Sequence, residues 1–284
     1  MLRKLKLTFM HYIVVFTVVF IIGTIISFYT TRNTAVKILE SHPEFNVFYW
    51  LSPEFCVIQT GNFILLCGGI FACIFGTILP SEKNNFLLQI FSTMKKLLIG
   101  NFIFWVTSIL TSFILEELTI SYVRNINISK DILFHSLKMF IAVYIFLSFW
   151  GMIGYGLKLT FSNIPIALIL GTSIQLLEIY VIFFYLKSTF LKFLPTALSR
   201  QIVVYQFPFW ELDSWANVKS VIPFASAPLI MDKSLQLVKI NYIWIFCFLI
   251  WYLLLVYFKP MYKYVLYNLQ KKENSVIISD RKSF

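Results

Sequence analysis

Glu178, in the stretch SIQLLEIYVIFFY, is the one acid set well inside an apolar run, and it is the first candidate for chemistry. A carboxyl there could contact a cationic substrate, relay a proton or close a gating ion pair. Burying its charge costs at least ~2.5 kcal/mol on insertion scales, so it must face other protein or be neutralised. The candidate structural partners are Gln175, Ser173 and Tyr180 nearby, or Lys138 at the end of another apolar run. Other reactive types form no such focus. The three histidines, His11, His42 and His135, fall in different parts of the chain, and no metal or catalytic cluster can be assembled from them. Cys56, Cys67, Cys73 and Cys247 lack C-x-x-C spacing and read as small apolar packing residues, with no disulfide framework. The chain contains no G-x-S-x-G elbow and no G-x-x-x-x-G-K-[ST] phosphate loop. GMIGYG, residues 151–156, lacks a full nucleotide fingerprint, and its glycines point to close helix packing or a turn.

The elements that must position Glu178 follow from composition. The 284 residues are 59% hydrophobic, 19% aromatic and 13% charged, with a mean hydropathy of +0.79. So few charges cannot cover a water-soluble core, and the bilayer is the expected solvent. Six runs reach the roughly 20 residues that cross about 30 Å of hydrocarbon as a helix. They are 9–29, 57–79, 97–115, 132–157, 164–186 and 242–258. None alternates with a period of two, so a barrel is excluded in favour of helices. The expected fold is an all-α integral membrane protein with six transmembrane helices, a single domain over 1–284. The first run follows Arg3, Lys4 and Lys6, but no small-x-small cleavage site follows Tyr29, so it is expected to remain as a span.

Charge sets the expected orientation. With both ends inside, the cytoplasmic segments hold 13 basic and 3 acidic residues, while the outer segments hold 11 and 9. Lys and Arg accumulate in cytoplasmic loops, which places both termini in the cytoplasm of a plasma-membrane protein. The net charge of +11 is therefore topological. It is split among short loops, so nucleic-acid binding is not implied. The 164–186 run is expected to start at a tight turn, with Asn163 or Ser162 as its cap and Pro165 in its first turn. Residues 187–241 form a long outer segment carrying Pro195, Pro208, Pro223 and Pro228 among aromatics, suited to short broken helices at the interface. Phe209, Trp210 and Trp215 are its candidate gate residues.

Between the second and third runs lies SEKNNFLLQIFSTMKKLLIG, residues 81–100. As a helix over about 82–96 it would place Leu87, Ile90, Phe91 and Met94 on one apolar face. Ser81 could cap it, with Glu82 at its start and Lys95 and Lys96 at its end. Such a helix suits either lipid headgroups or a protein groove. Taken with six spans and a long outer segment between spans five and six, the stretch ILPSEKNN resembles the type-two exporter permeases of the ABC transporters. The matching residues are Glu82 and Lys83; Asn84 and Asn85 stand where that family carries Arg-x-Gly surroundings, and its mid-helix Pro is absent at 91–93. The resemblance implies that 82–96 is a coupling helix docked on a separate cytoplasmic ATP-binding subunit. It also implies a homodimer or heterodimer of permeases, no bound cofactor, an outer gate in 187–241, and export of a hydrophobic or amphipathic cargo such as a lantibiotic-type peptide.

An intramembrane enzyme is the other function class. Glu116 and Glu117 resemble the paired glutamates of CAAX-type membrane proteases. That motif needs an Arg four residues after the second Glu, where this chain has Ser121, and His residues in later spans, where it has only His135. A transport subunit without catalytic residues is the stronger expectation.

Overall fold

The computed structural model describes residues 9–41, 67–80, 86–120, 130–185, 193–204 and 242–281. These form seven helices: α1 (Phe9–Ser41), α2 (Gly69–Ile78), α3 (Phe86–Ile120), α4 (Lys130–Phe161), α5 (Ile164–Tyr185), α6 (Pro195–Val204) and α7 (Tyr242–Arg281). No strand occurs among the described residues. Four stretches are long and apolar enough to cross a membrane: Phe9–Thr30, Phe86–Ser112, Phe140–Phe161 and Ile243–Lys272. Two shorter apolar helices, Gly69–Ile78 and Ile164–Glu178, lie where the second and fifth spans are expected.

Helix α4 is the hub, touching α2, α3, α5, α6 and α7. Its closest partner is α2, and the reason is GMIGYG. A Cβ built on Gly76 of α2 would lie 2.0 Å from the Gly151 carbonyl oxygen, and one on Gly154 would lie 2.1 Å from that of Cys73. The two backbones are thus in direct contact, which only glycine permits, and such small-residue seams hold helices together where lipid removes the hydrophobic drive. Thr77 Oγ1 sits 2.8 Å from the Cys73 carbonyl and 3.1 Å from that of Gly154, linking the same two helices. Helix α1 packs mainly on α3 and buries Phe16, Phe20, Thr24 and Phe28 at a spacing of four, giving an inward stripe. Phe16, Phe75 and Phe104 join α1, α2 and α3 in one aromatic cluster, with ring centroids 4.9 to 5.8 Å apart.

The turn between α4 and α5 follows the sequence. Ser162 adopts a left-handed φ of 54°, which ends α4. The Asn163 side chain then accepts from the Ile166 amide at 3.4 Å, and its carbonyl from the Ala167 amide at 3.0 Å. Pro165 occupies the first turn of α5, where no hydrogen bond is lost.

Two boundaries differ from expectation. The segment over 82–96 and the span over 97–115 are not two elements, because α3 runs unbroken from Phe86 to Ile120. Lys95 and Lys96 at the expected break are good helix formers and nothing there interrupts the ladder. Ser81, Glu82 and Lys83 lie outside the described residues. At the other end of the chain, α7 continues beyond the expected limit at 258 to Arg281, straight through Pro260. A proline removes the helical bond to the carbonyl four residues before it, here Val256. Thr160 of α4 offers a substitute, its Oγ1 lying 2.9 Å from the Val256 carbonyl and also 2.9 Å from that of Gly156 in its own helix, so that one hydroxyl proton serves both. Thr160→Val should therefore cost about 1 kcal/mol, read as a lower melting temperature in detergent. In a Pro260→Ala background, where α7 closes its own ladder, most of that penalty should vanish; equal penalties in both backgrounds would contradict the assignment.

Candidate functional site

Helix α6 is short, yet Thr196, Ala197, Leu198, Ser199 and Ile202 are all buried. It packs against α4, α5 and α7. Its sequence explains what it needs. Pro195 opens the helix and has no N–H to satisfy, but the preceding residue, Leu194, has no side-chain acceptor for the amides that follow. Glu178 provides one from α5. Its Oε2 accepts the Thr196 N–H at 2.7 Å, a short charge-assisted bond, and the carboxylate sits at the positive end of the α6 dipole. An ordinary cap comes from the residue before the helix; here a neighbouring helix delivers it.

Three further bonds fix α6 and its entry. The Trp150 indole N–H of α4 donates to Ser199 Oγ at 3.2 Å, and Ser199 Oγ donates to the Thr196 carbonyl at 3.1 Å. Tyr252 of α7 donates its hydroxyl to the Phe193 carbonyl at 2.9 Å, while the Phe193 and Phe248 rings pack with centroids 5.4 Å apart. Three surrounding helices thus each send one polar side chain to the entry of α6. Helix α5 carries this polar line on its buried face, since Gln175, one turn before Glu178, donates to the Gly69 carbonyl of α2 at 3.2 Å. The arrangement is a mechanical latch, a carboxylate holding a helix end in a low-dielectric interior.

One partner of Glu178 is therefore a backbone amide from the 187–241 segment, in addition to the expected candidates Gln175, Ser173, Tyr180 and Lys138. Lys138 is an exposed residue of α4. Nothing in the residue types of Thr196, Trp150, Ser199 and Tyr252 marks them out in the sequence. The available signal was LPTALS itself, a helix start with proline first and no acceptor before it. Phe209, Trp210 and Trp215 lie outside the described residues. So do the side chains of Glu116, Glu117 and His135.

The four apolar residues expected on one open face of the 82–96 segment are divided. Leu87 and Phe91 are 48% and 68% exposed, together with Leu88, while Ile90 and Met94 turn inward against the core. Because α3 is one rod, the face that packs its span at Leu97 also carries Ile90 and Met94 with it. Phe86 stacks on Tyr264 of α7 at 4.8 Å, so the starts of α3 and the far half of α7 meet at the same end of the bundle. Lys158, near that end, donates to the Leu79 carbonyl just past α2, where a cation complements the helix dipole.

Among the described residues no group of three or more His, Cys, Asp or Glu side chains is placed to hold a metal ion. Comparison of the chain with protein-family models, with curated proteins and with solved structures finds no match.

Proposed function

We propose that the chain is the membrane permease subunit of an ATP-driven exporter of the type-two ABC class, powered by a separate cytoplasmic ATPase and acting as a homodimer or heterodimer. In this reading it has six spans in the plasma membrane and both termini in the cytoplasm, and it exports a hydrophobic or amphipathic cargo, a membrane-active peptide being the favoured class. The observation that carries the reading is the exposed apolar patch of Leu87, Leu88 and Phe91 at the very start of a membrane-length helix. A groove on a soluble partner would cover that patch, in the common helix-in-groove mode. The continuity of α3 adds a mechanical reason: displacement at Phe91 is carried as a rigid-body motion to Phe104 in the aromatic cluster. Glu82 and Lys83 complete the docking segment, with Ile90 and Met94 fixing its rotation against the bundle. Helix α6 and its Glu178 latch belong to the outer gate, together with Phe209, Trp210 and Trp215.

The test is co-purification. The chain alone should hydrolyse no ATP and should bring down an ATPase from its native membrane. Phe91→Asp should lose that subunit while the bundle keeps its melting temperature, because a carboxylate replaces hydrocarbon in the docking groove. Phe91→Leu should retain it. Full retention by Phe91→Asp, or no ATPase recovered with the unaltered chain, would overturn the reading.

A further inference from the structure

Pro260 divides α7 into two parts with different attachments. The part before it is fastened to α4. Tyr257 is buried and donates its hydroxyl to the Met152 carbonyl at 2.9 Å. Gly156 admits Val256 and Tyr257 so closely that a Cβ built on it would lie 2.5 Å from Val256 Cγ1 and 2.9 Å from Tyr257 Cε2. Thr160, its hydroxyl shared between the Gly156 and Val256 carbonyls, adds a polar tie at the same level. Lys259, the last residue before the proline, still lies against α4, with its Nζ 5.8 Å from the centroid of the Phe161 ring.

Beyond the proline the attachment changes. No side chain from Met261 to Lys272 is buried. Tyr264, the least exposed of them, stacks on Phe86 at the start of α3, with ring centroids 4.8 Å apart. One side of the proline is thus tied to α4 and the other to α3. Between the two ties the α7 ladder is at its weakest, because Pro260 has no N–H for the Val256 carbonyl and its ring crowds that oxygen. Helices bend where the ladder is interrupted. Because α3 is one unbroken rod, a tilt of α3 displaces Phe86 relative to α4, and the joint of least resistance to that displacement is Pro260.

We propose that Pro260 is a hinge: the carboxyl-terminal half of α7, held to Phe86 by Tyr264, follows the start of α3 while the first half stays fixed to α4. The hinge belongs to the same end of the bundle that the proposed function gives to a partner. It is a property of this chain alone, however, and is measured without any partner, so it can fail while the export reading stands, and the reverse.

The test is pulsed electron–electron distance measurement on the full-length chain in lipid nanodiscs, with pairs of spin-labelled cysteines in a background lacking the four native ones. One pair, at Trp251 and Gln270, spans the proline; a straight helix would hold the two backbone positions about 28 Å apart. Their distance distribution should narrow at least roughly twofold in Pro260→Ala, where the ladder is complete. The second pair, at Leu88 and Gln270, spans the ring stack. Phe86→Ala should broaden that distribution at least roughly twofold when Pro260 is present, and far less in the Pro260→Ala background, where α7 no longer swings. An unchanged Trp251–Gln270 distribution in Pro260→Ala would overturn the hinge. Equal broadening by Phe86→Ala in both backgrounds, or none in either, would overturn its coupling to α3. If the cysteine-free chain does not fold, amide hydrogen exchange over residues 261–264 of the otherwise native chain reads the same joint: exchange at least roughly tenfold slower in Pro260→Ala supports the hinge, and unchanged exchange refutes it.

Discussion

Gly154→Ala is expected to cost on the order of 3 kcal/mol, the upper range for overpacking a close-packed interior, and so to lower the folded-to-unfolded ratio by about two orders of magnitude. The methyl group would start 2.1 Å from the Cys73 carbonyl oxygen and 2.9 Å from Thr77 Oγ1. A backbone carbonyl inside a helix cannot rotate away, so α2 and α4 would have to separate. That separation also breaks the shared Thr77 bond and loosens the helix on which Phe75 is carried. Gly76→Ala should behave alike, since its added Cβ would lie 2.0 Å from the Gly151 carbonyl. Gly171→Ala is the contrasting case. Its nearest obstacle is the Cys73 sulfur at 2.6 Å, the end of a side chain that can change rotamer. Melting in detergent should therefore rank Gly154→Ala and Gly76→Ala well below Gly171→Ala, and a Gly154→Ala protein as stable as the unaltered chain would refute the backbone contact.

The second large effect belongs to Glu178. Glu178→Leu should leave the Thr196 amide unpartnered in the interior, at a cost of about 1–3 kcal/mol, and should release the start of α6. Glu178→Gln should be far milder, because the amide oxygen can still accept the same N–H. A cysteine at Ser199, which is fully buried, reads the release: it should react with a thiol reagent at least roughly tenfold faster in the Leu variant than in the Gln variant, as local opening exposes it. Adding Lys138→Met to Glu178→Leu should rescue neither stability nor protection, since the missing partner is the α6 amide. Rescue by that double change, or equal Ser199 reactivity in the two variants, would contradict the latch. If α6 also gates cargo, export by Glu178→Leu should fall even where the bundle remains assembled.

These two sites show what was legible in sequence and what was not. GMIGYG announced close packing because glycine spacing is local information, and the structure puts Gly154 and the Gly151 carbonyl against α2, the Cβ side of Gly151 against Asn101 and Leu97 of α3, and Gly156 against Val256 and Tyr257 of α7. Asn163 and Pro165 marked a helix start for the same reason. Of the six apolar runs expected to span, four appear within membrane-length helices, while 57–79 and 164–186 correspond to the shorter apolar helices Gly69–Ile78 and Ile164–Glu178. The Glu178 partner was hidden because it is a main-chain N–H 18 residues away, and side-chain types carry no mark of an amide left uncapped in another helix. The unbroken α3 was hidden by charge: Lys95 and Lys96 look like the end of a surface helix, but charge does not interrupt a helical ladder. The passage of α7 through Pro260 was hidden because its remedy, Thr160, comes from α4.

The start of α3 with Phe91 and the far half of α7 gather at one end of the bundle, the end that the proposed function places in the cytoplasm. Single cysteines at Leu88, at Gln270 and at Asn217, the last outside the described residues, test it directly with a membrane-impermeant thiol reagent, in a background lacking native cysteines. In intact cells the first two should be protected and react once the membrane is permeabilised, while Asn217 should react at once. Labelling of Leu88 and Gln270 in intact cells, with Asn217 protected, would turn the bundle over and remove the docking face from any cytoplasmic ATPase.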